Sequence, residues 1–215
     1  WISNQTEAIS TYGDINSWDV SRITDFSNLF YSQSTFNSNI SNWDVINGTT
    51  FSKMFYSASV FNQDLSSWDV SNGTDFSNMF RNADEFNQDI SNWDVSSGTN
   101  FYEMFSQTDN FNQDIGNWNV SNGTNFRGMF KYAQSMIENK DTLSTWNVSS
   151  GDGMNGFWYM FKGQNNIHGP GFYGQTFKEH LLMMKLQEDL AMMFLTGQKV
   201  MTILKEKVEL IYLYF

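Results

Sequence analysis

The side chains able to do chemistry in this chain recur at a fixed interval. Asp19, Asp44, Asp69 and Asp94 stand 25 residues apart, each directly after a tryptophan, and Asn119 and Asn147 continue the series. A column of carboxylates can hold a cation, supply paired acids and bases, or face solvent. Between Trp and Val in extended chain, such side chains point away from the core. Carboxylates about 5 Å apart repel by about 0.8 kcal/mol even in water. Hydrogen bonds from Ser21, Ser71 and Ser96 can offset that repulsion. A calcium ion takes about six to eight oxygens in a closed shell, more than one column supplies. The series is therefore read as a polar face able to bind a partner, with no metal site. The same reading applies to a second column, Asp64, Asp89 and Asp114.

Asparagine supplies the other candidate chemistry. Asn-x-Ser/Thr triplets occur at Asn4, Asn39, Asn47, Asn72, Asn119, Asn122 and Asn147, and Asn47, Asn72 and Asn122 share the form Asn-Gly-Thr. In an exposed turn this is a glycosylation acceptor on a eukaryotic or archaeal-type secretory route. It is equally plain turn chemistry, with Asn-Gly supplying positive φ. Asn37, Asn62, Asn87 and Asn112 read as an asparagine ladder serving loop backbone. His168 and His180 have no evident third ligand, and cysteine is absent. A hydrolase using two acids needs singular residues that break the pattern, and none stands out. No catalytic residue and no cofactor is expected.

The elements that must position these columns are repeats. Tryptophan recurs at Trp18, Trp43, Trp68, Trp93 and Trp118, and again at Trp146. Self-similarity at such a period marks stacked units that share one core. Six units open at Ile15, Ile40, Leu65, Ile90, Ile115 and Leu143. Trp-x-Val has strand period. Phe76, Met79, Phe80 and Ala83 fall at i, i+3, i+4 and i+7, the helix period, with Thr24, Thr49, Thr74, Thr99 and Thr124 placed to cap. The fold class expected is thus an α/β repeat, a solenoid with a parallel concave sheet and short convex helices. Residues 1–14 read as a partial repeat or an N-terminal segment, 15–162 as the six-unit solenoid and 163–175 as a Gly-rich linker. Residues 176–215 read as a helical cap or an assembly segment. Tyr31, Tyr56, Tyr102 and Tyr132 are the candidate exposed aromatic contacts.

Composition narrows the partners. The formal net charge is −11, which repels phosphate backbones and anionic membranes, so nucleic acid is not expected. No apolar run reaches the ~20 residues that span a bilayer. The chain opens at Trp1, as a processed protein or a fragment would.

Ile-x-x-Trp-x-Val resembles the Leu-x-x-Leu-x-Leu motif of leucine-rich repeats. With Trp-Asp-Val-Ser, Phe-Asn-Gln-Asp and Phe-x-x-Met-Phe-x-x-Ala-x-x-Phe, residues 15–162 resemble the BspA-like class and its 25-residue surface-protein subtype. That resemblance implies a right-handed solenoid on a microbial cell surface, active in adhesion or coating. One slot departs from the class: the aliphatic residue kept at Ile23 becomes Gly48, Gly73, Gly98 and Gly123, leaving space for Phe51, Phe76, Phe101 and Phe126. The function expected is a non-enzymatic extracellular or cell-surface protein, structural or adhesive. Head-to-tail self-association into a glycosylated filament is one version. The alternative is a binding module gripping a host or matrix protein or glycan through the polar concave face, at Asp19, Asp44, Asp69, Asp94 and Asn119.

Overall fold

The computed structural model describes residues 4–137 together with Leu143, Trp146 and Val148. The expected linker, the C-terminal helical segment, both histidines and most of the sixth unit lie outside the described residues. The chain opens on a helix, α1, spanning Gln5–Tyr12. This stretch, read from sequence as a broken repeat, carries an N-cap: Asn4 Oδ1 accepts from the Glu7 N–H, and Glu7 Oε2 accepts from the Asn4 side-chain Nδ2. Gly13, at φ 77°, ends the helix. A 3₁₀ turn over Ile15–Ser17 leads into the first of five described coils, residues 15–39, 40–64, 65–89, 90–114 and 115–137.

The expected sheet and helices are not there. Among the described residues no strand forms and α1 is the one α-helix, so the concave-sheet, convex-helix architecture is overturned. Each coil is a succession of β-turns. In the third coil Trp68 N–H bonds Leu65 C=O and Gly73 N–H bonds Val70 C=O, so turns close on both sides of Trp-x-Val and leave no length for a strand.

The Phe-rich run imitates a helix for a specific reason. Met79 N–H bonds Phe76 C=O, and Ala83 N–H bonds Phe80 C=O. Asn78 and Asn82, third in these turns, have φ near +57°, the sign pattern of type II turns. Two four-residue turns in tandem put their inward corners at i, i+3, i+4 and i+7, the same spacing as a helix face. The equivalent pair recurs in every coil, with positive φ at Lys53 and Ser57, at Glu103 and Gln107, and at Gly128 and Tyr132.

The N–H groups that these turns leave over bond between coils. Phe76, Asn78, Phe80 and Asn82 donate to the carbonyls of Asn100, Tyr102, Met104 and Ser106 in the next coil. Among the described residues the only ladder character is a row of single parallel bridges, Asp25↔Thr50, Thr50↔Asp75, Asp75↔Asn100 and Asn100↔Asn125. The threonines do not cap helices. Thr74 Oγ1 donates to Thr49 C=O, and Thr49, Thr99 and Thr124 repeat the bond on the preceding coil.

Inside, the aromatic columns pack as expected. Phe51, Phe76, Phe101 and Phe126 form one file with ring centroids 5.3–5.6 Å apart. A second file, through Phe55, Phe80 and Phe105, stacks at similar spacing, and each of its rings also lies 3.9–4.1 Å from a return-loop Phe of its own coil. Trp43, Trp68, Trp93, Trp118 and Trp146 each donate their indole N–H to the main chain of the previous coil, Trp93 to Leu65 C=O at 3.0 Å. The phenylalanines do fill the glycine slot. A Cβ built on Gly73 would lie 2.4 Å from Phe76 Cζ.

Candidate functional site: the repeated surface and its open end

The Asp column lies in solvent, and each member is spent on local structure. Asp19, Asp44, Asp69 and Asp94 are exposed. Each accepts, through Oδ1, the backbone N–H two residues on, from Ser21, Ile46, Ser71 and Ser96, and Asn119 does the same for Ser121. These are Asx turns, in which the side chain stands in for a backbone acceptor. Hydrogen bonds from the Ser21 and Ser96 hydroxyls, then their N–H groups, hold the Asp19 and Asp94 carboxyls below the usual range. Asp64, Asp89 and Asp114 repeat the device at a second corner. Asp25, Thr50, Asp75, Asn100 and Asn125 make a third, unnoticed from sequence although the 25-residue spacing marks it. With no sheet there is no concave sheet face for the first column to line. Among the described residues, no three His, Cys, Asp or Glu side chains converge as a metal-holding group.

The sequon asparagines divide into two kinds. Asn47, Asn72 and Asn122 are exposed, and their amides donate to the carbonyls of Ser21, Ile46 and Ser96 in the coil before. Asn4 is the helix cap, with both amide atoms engaged by Glu7. Asn39 and Asn119 turn their Oδ1 onto local N–H groups. Asn147 lies outside the described residues. The asparagine ladder is structural: Asn37, Asn62 and Asn87 each accept through Oδ1 the backbone N–H of the next asparagine, at 2.9–3.0 Å. Gln63, Gln88 and Gln113 donate to the same oxygens.

The tyrosines do not form one column. Tyr31 stacks on Tyr56 at 4.8 Å, Arg81 lies over the Tyr56 ring and pairs with Glu103. Burial, then the neighbouring Glu103, pushes the Tyr102 phenol up. Tyr132 stands elsewhere, beside the Lys131 ammonium, at one end of a polar cleft. That cleft crosses the coils past Ser57, Asn82, Asp84, Gln107 and Asp109. Burial, then Asp109 and Glu85, raise the Asp84 carboxyl above the usual range. Asn82 Oδ1 meets no donor there.

The second cavity lies at the first coil, a groove of about 850 Å³ lined by Trp18, Val20, Ile23, Phe26, Leu29 and Phe30 among others. Leu29 is 46% exposed there, whereas Met54, Met79, Met104 and Met129 in the same slot are fully buried. No helix among the described residues is long and apolar enough to cross a membrane. Comparison with known proteins gives no match among curated proteins and none among solved structures. The family model described as "Mycoplasma protein of unknown function, DUF285" matches twice, over residues 2–97 and 74–170. Those spans take in every described coil, and the chain belongs to the DUF285 family.

Proposed function

We propose that this protein is a non-enzymatic structural or adhesive element of an extracellular or cell-surface layer. The observation that carries this reading is the use of the carboxylates. Coil after coil, the Asp that stands free in the sequence closes an Asx turn on its own backbone. Polar side chains are thus committed to building one uniform repeated surface. The likeness of Trp-Asp-Val-Ser and Phe-Asn-Gln-Asp to the motifs of BspA-like surface proteins points the same way. Asn47, Asn72 and Asn122 suit such a setting. Each amide nitrogen donates one bond to the coil before and has a second hydrogen to exchange for a sugar. The test is labelling of intact source cells with a membrane-impermeant amine reagent, followed by intact-mass analysis. Reaction in whole cells at the level seen in lysates supports the reading; protection until lysis sinks it.

A second reading, a binding module, rests on the polar cleft rather than on the Asp19 to Asn119 column. Asn82 Oδ1 lacks a donor among hydroxyl, amide and carboxylate neighbours, with the Tyr132 ring at one end. A glycan offers both hydroxyl donors and an apolar sugar face. Asp109→Ala should abolish glycan capture if the cleft binds, and joint replacement of Asp44, Asp69 and Asp94 should not.

A further inference from the structure

We infer that the outward corners of the tandem turns, from Arg81 through Tyr102 to Arg127 and Lys131, bind a linear acidic polysaccharide. The coils differ from one another along this wall. Elsewhere the same residue makes the same bond in coil after coil, as Thr49, Thr74, Thr99 and Thr124 do, or Asn37, Asn62 and Asn87. After the first phenylalanine of each turn pair, Ser27, Ser52 and Ser77 give way to Tyr102 and Arg127. After the second, Tyr31 and Tyr56 give way to Arg81, Ser106 and Lys131. Main chain joins the coils here, Phe101 N–H to Asn125 C=O and Phe105 N–H to Met129 C=O, so no shared side-chain bond holds these corners to one residue.

The cations gather on the same corners. Of the lysines and arginines among the described residues, Lys53, Arg81, Arg127 and Lys131 lie there, and Arg22 alone lies elsewhere. Arg81 sits over the Tyr56 ring and pairs with Glu103. The Tyr102 phenol, raised by burial and then by Glu103, is pulled back by Arg127 and Arg81, so these side chains share one field. The adjoining rings step 5.6 Å from Phe80 to Phe105 and 5.7 Å on to Phe130, which sets Arg81 and Lys131 two coils apart on one line. Against Arg81, Arg127 and Lys131 stands one acid, Glu103. The fifth coil has none, and the column flanking the turns, acidic at Asp25 and Asp75, is neutral at Asn100 and Asn125. Exposed charges beyond ~8 Å are largely screened at physiological salt, so the nearest groups outweigh the −11 of the whole chain.

The groups on offer select the occupant. Bases of a single-stranded nucleic acid need open ring faces, but Tyr56 is stacked on Tyr31 and covered by the Arg81 guanidinium. An acidic peptide adding as a strand needs free backbone groups. Here the N–H groups of Phe101, Glu103, Phe105 and Gln107 are spent on the next coil. A chain of sugars asks for neither. Its carboxylates or sulfates meet guanidinium and ammonium donors, and its hydroxyls meet the Tyr102 phenol. The polar cleft is a different site, since Asp84 and Asp109 repel such a chain. The inference gives the adhesive reading above a ligand class and rests on it for its setting, but its test uses purified chain alone.

Biolayer interferometry on immobilised polygalacturonate and dextran sulfate reads the outcome, with plain dextran, polyglutamate and single-stranded DNA as rivals. Wild type should bind at least one of the two acidic polysaccharides and not dextran, with affinity falling as salt rises. Arg127→Glu combined with Lys131→Glu should weaken binding at least tenfold. Arg22→Glu, a charge reversal off this wall, should weaken it less than twofold. Should the double variant lower the urea midpoint, Lys131→Gln alone takes its place, with a loss of at least threefold expected. Failure to bind either acidic polysaccharide overturns the inference, as does equal binding to dextran, a loss from Arg22→Glu as large as from the wall variants, or tighter binding of polyglutamate or DNA. Any of these leaves the whole-cell labelling result standing, so the two proposals fail separately.

Discussion

Two walls of each coil join their neighbours by different means. On the Phe–Met wall the main chain does the joining: Phe80 N–H reaches Met104 C=O, and the rings simply stack. On the Trp–Val wall the joining falls to side chains. Trp93 Nε1 reaches Leu65 C=O and Asn72 Nδ2 reaches Ile46 C=O. The difference follows from turn placement. Turns flanking Trp-x-Val consume its backbone groups within the coil, so only side chains are left to reach across. The lesson is that the second wall depends on residue identity and the first mainly on shape and apolarity.

The sharpest way to break that contrast is a pair of conservative core changes. Trp93→Phe removes the indole donor, leaves Leu65 C=O with its Trp68 N–H bond alone and opens a void, for a loss of ~2–4 kcal/mol. Phe80→Leu removes packing alone and should cost ~1–2 kcal/mol. Urea denaturation of both variants checks this; equal losses would mean that the indole bonds add nothing beyond volume. Gly73→Ala probes the corner where the walls meet. Phe76 cannot step aside from the new methyl, because Phe51 and Phe101 hold it at 5.6 Å on either side. A loss of ~1–3 kcal/mol is expected, read as a fall in the midpoint with unchanged slope.

Much of this was legible before any coordinates. The 25-residue period placed the Trp, Val, Phe and Met columns inside, where Trp68, Phe76 and Met79 are in fact buried. It also exposed the Asn37 to Asn112 ladder and the tenancy of the glycine slot by Phe76. What could not be read was the backbone. Phe76, Met79, Phe80 and Ala83 satisfy a helix and two tandem turns equally well, and only residues tolerant of positive φ separate them. The discriminating columns hold Asn28, Lys53, Asn78, Glu103 and Gly128, and Ser32, Ser57, Asn82, Gln107 and Tyr132. Asn and Gly are too few there to announce a turn. Helix α1 was legible and was missed, since Asn4 is a strong N-cap residue with Glu7 in the first turn.

Those same columns allow the Phe–Met wall to be sharpened rather than broken. Lys53 holds φ 57° with an exposed side chain. A left-handed conformation costs a residue with a Cβ about 1–2 kcal/mol, and glycine escapes it while giving back part in chain entropy. Lys53→Gly should therefore stabilise by ~0.5–1 kcal/mol, measured as a raised urea midpoint. The same change at Ile46, beyond these turns, should not stabilise.

The smallest effect separates the corners of the two walls by sign. Asp94, on the Trp–Val side, has a carboxyl held below its unfolded value of 3.8 by Ser96. A depressed native pKa contributes stability that is present above the unfolded value and is lost as pH falls through the native one. Asp84, in the polar cleft, is raised from the same value by burial and by Asp109 and Glu85. Its contribution runs the other way, full below the unfolded value and lost as pH rises through the native one. Asp94→Ala should therefore lower stability at pH 7, and the part of that loss due to charge should vanish in acid. Asp84→Asn should raise stability at pH 7 and make no difference in acid. Thermal melts of both variants at pH 7 and near pH 3 read the two signs. If Asp84→Asn proved destabilising at pH 7, the cleft would be using that charge, and a cation or donor-rich ligand would have to be sought beside Asn82.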